Sequence, residues 1–103
     1  ASRGLGDVYK RQGRITDVEI ANAFRKTVEA GGRSITPEAL EDAVKAVDGF
    51  PYMMQLVGYR TWDVSESSPK ISVSDVQQGS LLARMELRDR ILETTYRELS
   101  DNQ

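Results

Sequence analysis

Gly49-Phe50-Pro51-Tyr52 joins two segments of helical period, and this junction constrains the fold more than any other stretch of the chain. Upstream, Leu40, Ala43, Val44 and Val47 recur at three- and four-residue steps; downstream, Tyr52, Leu56, Tyr59 and Trp62 keep close to the same rhythm. Gly49 is able to take the left-handed conformation that ends one helix. Pro51, lacking an N–H, suits the first turn of the next. Together they predict a rigid corner between two helices. The flat apolar face of a proline ring fixed at such a corner suits a planar ligand, and the same residues also serve simply to turn a chain. The local pattern leaves both readings open.

The other helix boundaries are marked in a similar way. Thr16-Asp17-Val18-Glu19 is a capping box; it predicts a helix running to about Ala30 that buries Val18, Ala21, Phe24 and Val28 and is broken by Gly31-Gly32. Thr36-Pro37-Glu38 opens a second helix with a hydroxyl cap, a proline at the first position and an acid near the positive end of the dipole. Gly49 stops it. A third helix is expected from Pro51 to near Asp63, followed by a serine- and proline-rich exposed loop from Ser65 to Lys70. The fourth starts near Ser72, where Asp75 completes a weaker capping box, and continues towards Leu99. Its apolar stripe is Val76, Leu82, Ala83, Leu87, Ile91 and Leu99, and Gly79 and Thr94-Thr95 are expected points of bending or weakness. Ser100-Asp101-Asn102-Gln103 reads as the cap of a further helix. No segment alternates at period two and no internal repeat is evident. The fold class is therefore all-α: a small four-helix bundle whose last helix is long.

A chain of 103 residues fits one domain with one modest core, and 39% apolar with 29% charged residues argues against disorder. A net charge of −2 gives no general electrostatic reason to bind nucleic acid. With neither cysteine nor histidine, disulfides, thiolate chemistry, the usual zinc sites and the commonest general base are excluded. No apolar stretch approaches the ~20 residues that span a bilayer. Residues 1–12 lack helical or strand period and resemble a translated sequencing-adaptor artefact, so residues 1–13 are set aside as a non-native or disordered tail and residues 14–103 as the domain. That division implies a fragment lacking its upstream part. Gly4-Leu5-Gly6 is no phosphate loop, because no strand precedes it and no Gly-Lys-Ser/Thr follows.

The run from Asp48 to Trp62, together with Gly32-Arg33-Ser34-Ile35, Ile71-Ser72 and Asp75-Val76-Gln77-Gln78-Gly79, resembles the helical lid of a group of P-loop ATPases. These are the bacterial and archaeal AAA+/STAND-type ATP-binding proteins, relatives of origin-recognition ATPases. The resemblance implies a lid that closes over ATP through its Gly-x-Pro element and couples nucleotide state to movement. Pro51 would pack on the adenine or sugar, Gly49 would let the backbone approach, and Tyr52 would add an aromatic wall. It also implies a partner P-loop core domain in the same protein that holds Mg²⁺, and leaves any contact with DNA or protein to domains outside this segment. The absence of cysteine and histidine fits a cytoplasmic protein. Many such lids carry a sensor arginine just after the proline. Here Tyr52, Met53 and Met54 follow, and Arg60 lies nine residues on, roughly 180° around the helix. The pattern is that of the Gly-x-Pro type of lid.

No catalytic residue and no metal ligand set emerge: the Gly-rich loop, lysine and acid needed for phosphoryl transfer are missing. Glu38, Glu41 and Asp42 sit in the first turns of a helix, where the dipole accounts for them. Trp62 at helical spacing reads as core. In the last helix, arginines 84, 88, 90 and 97 alternate with acids, and Glu86–Arg90 and Glu93–Arg97 have the favourable i, i+4 order of a self-paired face. Arg33, after two glycines, faces either a phosphate, a neighbouring subunit or solvent. The alternative function is a helical protein-interaction or DNA-binding module of helix-turn-helix type with no nucleotide role. Its recognition helix would offer only Gln55 and Arg60 to a groove.

Overall fold

The computed structural model describes residues 13–66 and 68–101. In chain order these form α1 (Asp17–Ala30), β1 (Ser34–Ile35), α2 (Pro37–Val47), α3 (Pro51–Val64), β2 (Lys70–Ile71) and α4 (Val73–Asp101). The expected all-α bundle, with four helices among the described residues and a long last one, is what the chain adopts. The proposed tail, apart from the exposed Gly13, lies outside the described residues.

Three of the helices start alike. Isoleucine precedes a hydroxyl cap at Ile15-Thr16, Ile35-Thr36 and Ile71-Ser72. The Thr16 oxygen accepts from the Glu19 N–H at 3.2 Å while the Glu19 carboxylate accepts from the Thr16 N–H. Thr36 accepts from the Ala39 N–H at 3.1 Å. Ser72 and Asp75 reproduce the reciprocal pair at 3.3 and 3.0 Å. Each preceding isoleucine turns inward: Ile71 is buried, and Ile15 and Ile35 pack against the core. The cap thus fixes the helix start and the isoleucine fixes its entry angle.

Two of these starts also build a sheet that the sequence did not announce. Ser34 pairs with Lys70 and Ile35 with Ile71 in parallel. The ladder continues through the Ser34 N–H to the Pro69 carbonyl at 3.0 Å and the Thr36 N–H to the Ile71 carbonyl at 3.1 Å. Two residues per strand are too few to display alternation.

The core gathers Ile20, Phe24 and Val28 from α1, Ala39, Ala43 and Val47 from α2, Met53, Leu56 and Val57 from α3, and Val76, Ala83 and Leu87 from α4, with Ile71. Several expectations need correction. The buried stripe of α1 steps by four from Ile20, which leaves Val18 69% exposed and Ala21 half-buried. Ser65 is no exposed loop residue. It is buried, and its hydroxyl donates to the Thr61 carbonyl at 2.6 Å. Gly79 lies inside α4 as a buried contact point against α3. Ser100 and Asp101 lie within α4, beyond the expected end at Leu99; Asn102 and Gln103 lie outside the described residues.

Candidate functional site

The corner between α2 and α3 is built from two successive left-handed residues, Asp48 at φ 50° and Gly49 at φ 78°. The Asp48 N–H closes the last turn of α2 on the Val44 carbonyl, and the Phe50 N–H donates to Val47 at 3.1 Å. Pro51 is the first residue of α3, as expected, and no side-chain hydrogen bond caps that helix. The expected binding residues sit together here: Gly49 is buried, while Pro51 and Tyr52 are half-buried. Tyr52 and Phe50 both pack against the core.

The segment before α1 crosses this corner, a feature that sequence reasoning missed. The Ile15 N–H donates to the Gly49 carbonyl at 2.8 Å. The Arg14 guanidinium donates to the Asp48 carbonyl at 2.6 Å and its carboxylate at 3.2 Å, and lies 4.7 Å from the Phe50 ring centroid. A Cβ on Gly49 would stand 2.9 Å from Arg14 Nε and 3.2 Å from the Ile15 oxygen. Glycine is therefore required twice, by its φ and by the close approach of a second backbone. The Arg14–Asp48 ion pair is exposed at both ends and adds little stability by itself. Its consequence is placement: a cation and an aromatic ring are fixed beside the start of α3, whose dipole presents its positive end there. The only signal for this in the sequence is an arginine two residues before a helix cap.

The two arginines left in doubt are both engaged inside the domain. Arg33 donates to the Ser68 carbonyl at 2.9 Å and to the Ser65 carbonyl, with its guanidinium 4.5 Å from the Trp62 ring centroid. It ties the turn after α1 to the turn after α3. Trp62 is accordingly no core residue: it is 37% exposed, stacked beneath Arg33 and packed over Gly31, where a Cβ would come within 2.3 Å of the indole. Arg60 reaches across to α4 and bonds Glu86, with Nε at 3.0 Å from the carboxylate. Arg90 approaches the same carboxylate at 3.4 Å and Arg97 pairs with Glu93 at 2.7 Å, as the i, i+4 spacing implied. The hydrogen bond from Arg60 holds Glu86 below the usual carboxylate range, against the opposing pull of desolvation.

A mostly apolar cavity of about 430 Å³ lies apart from the corner, lined among others by Phe24, Val28, Met54, Gly58, Tyr59 and Trp62. Among the described residues there is no acidic cluster suited to a metal ion, and no helix is long and apolar enough to cross a membrane. Compared with protein-family models, with curated proteins and with solved structures, the chain finds no match.

Proposed function

We propose that this domain is the lid of an ATP-binding protein of the AAA+/STAND type, closing over ATP held by a P-loop core domain through Gly49, Pro51 and Tyr52. The observation that carries the reading is the corner itself. Two left-handed residues and the Arg14–Ile15 crossing fix the proline ring at a helix start, so a ligand meeting it finds a surface already ordered. The lid contributes contacts to base or sugar; the core domain supplies the phosphate cradle, Mg²⁺ and the chemistry. The 103-residue chain alone turns over no ATP. Arg60 serves as no sensor in this reading, since its charge is spent on Glu86. The same pairing weakens the helix-turn-helix alternative, which would lose its one cation on α3.

The test is made in the protein that joins this domain to its core. Pro51→Ala is expected to weaken ATP binding by roughly 1 kcal/mol, about fivefold, from the loss of a few buried methylene groups. The helix should persist, because alanine is an excellent helix former. Gly49→Val should instead unfold the corner, given φ 78° and the neighbouring Arg14 and Ile15 atoms. Unchanged ATP affinity in Pro51→Ala beside a destabilised Gly49→Val would reduce the motif to a structural turn. A reading frame with no Gly-x-x-x-x-Gly-Lys-Ser/Thr upstream of Arg14 would remove the core domain from the proposal altogether.

A further inference from the structure

Helix α4 is apolar on two opposite faces. One carries Val76, Ala83 and Leu87 into the bundle core. The other carries Leu81, Met85, Leu92 and Tyr96, which are 53%, 52%, 57% and 72% exposed. At about 100° per residue the two stripes are centred roughly 170° apart, so the outer one cannot reach the bundle. A solvated helix face does not ordinarily repeat large apolar side chains over sixteen residues, roughly 22 Å of helix.

The charges beside the outer stripe indicate what covers it. Arg84 and Arg88 lie along one flank and Asp89 along the other, and among the described residues none of the three makes an ion pair, whereas Glu86, Arg90, Glu93 and Arg97 do. We infer that α4 pairs in parallel with α4 of a second copy of this chain through Leu81, Met85, Leu92 and Tyr96. A two-fold axis parallel to the helices sets the basic flank of each copy against the acidic flank of the other. Arg84 then faces Asp89 of the second copy, five residues further along, which is the usual spacing for ion pairs across parallel helices. The same spacing brings Arg88 to the edge of the seam in either orientation, so the choice rests on Arg84 and Asp89: an antiparallel pair centred on the same stripe would set basic flank against basic flank and acidic against acidic. Because the core face points away from the stripe, the two bundles sit on the outer sides of the pair without collision. The inference is independent of the lid reading.

One helix pair of this length buries less than the ~1,200 Å² of a stable interface, so the dimer should be weak, with a dissociation constant on the order of 100 µM. Sedimentation equilibrium of the full chain over a concentration series measures it. Leu92→Glu should weaken association more than about tenfold with unchanged helicity and thermal unfolding, since Leu92 is exposed in the single copy. Arg84→Asp should weaken it, and Arg84→Asp combined with Asp89→Arg should restore it. The chain has no cysteine, so orientation is read cleanly by oxidation. Leu92→Cys should cross-link to itself in a parallel pair. Cross-linking only between Met85→Cys and Leu92→Cys chains would overturn the parallel arrangement. A chain that stays monomeric at millimolar concentration, or a dimer indifferent to Leu92→Glu, would overturn the interface.

Discussion

Replacing Gly79 with alanine should destabilise the domain although alanine is the better helix former. Gly79 sits inside α4 against Thr61 of α3, along the most extensive helix–helix contact in the structure. A Cβ there would stand 2.3 Å from Thr61 Oγ1, 2.6 Å from its Cα and 2.7 Å from its N. Two of these atoms belong to backbone, so no side chain can swing aside. Restoring an ordinary contact of about 3.5 Å means parting the helices by roughly 1 Å, and a gap of that size forfeits a quarter to a half of the dispersion energy of each contact it opens. Overpacking of this kind typically costs about 1–3 kcal/mol, and a backbone-on-backbone clash belongs at the upper end. The gain in helix propensity is only about 1 kcal/mol. The net loss is about 2 kcal/mol, a large share of the ~5–15 kcal/mol of a small domain and roughly 10 °C in Tm. Urea and thermal unfolding followed by circular dichroism measure it. Gly58 supplies the control, because a Cβ there meets only Phe24 ring atoms at 3.4 and 3.9 Å, ordinary contact distances. Gly58→Ala should therefore stabilise by up to about 1 kcal/mol. A Gly79→Ala domain as stable as the parent would show that the α3–α4 seam yields freely, and the reasoning would fail.

Glu86 makes acid stability sensitive to one carboxylate. Its folded-state pKa lies below the ordinary 4.5, so its contribution is full above that value and is lost as pH falls through the lower folded-state value. Glu86→Gln should flatten the dependence of unfolding free energy on pH in that window, and an unchanged slope would show that the Arg60 pairing contributes nothing. Gly31→Ala should displace the indole of Trp62, because the new methyl occupies the position 2.3 Å from the ring edge and the side chain can move where backbone could not. Tryptophan emission, with Trp62 as the one fluorophore of its kind, should shift to the red as the ring leaves Arg33; an unmoved spectrum would locate the indole elsewhere.

The helix starts were legible because capping is local chemistry: a hydroxyl and an acid three residues on satisfy N–H groups within one turn, whatever lies beyond. For the same reason the α2–α3 corner was legible in Gly49 and Pro51. The Arg14 crossing was not, since it joins residues 34 positions apart in a contact that no periodicity encodes. The two-residue sheet was hidden by its length.

The largest misreading, Trp62 as core, has a single physical origin. Met53, Leu56 and Val57 pack in the core, as their apolar character after the corner implies, but the period through Tyr52, Leu56, Tyr59 and Trp62 suggests a face that includes the indole, whereas the fourth buried side chain of α3 is Thr61. The side of α3 turned to α4 is the one that meets Gly79. Only a residue as small as glycine in α4 lets the backbone of α3 come so near, and the residue presented to it is Thr61. With Thr61 directed at α4, the next residue points about 100° to one side. Trp62 therefore emerges at the edge of the bundle, where Gly31 leaves room for the indole and Arg33 covers it. A glycine in one helix thus permits the close approach that buries Thr61 of another. Gly79 was visible as an exception within α4, but its consequence belongs to α3, and only the packing of the two helices connects them.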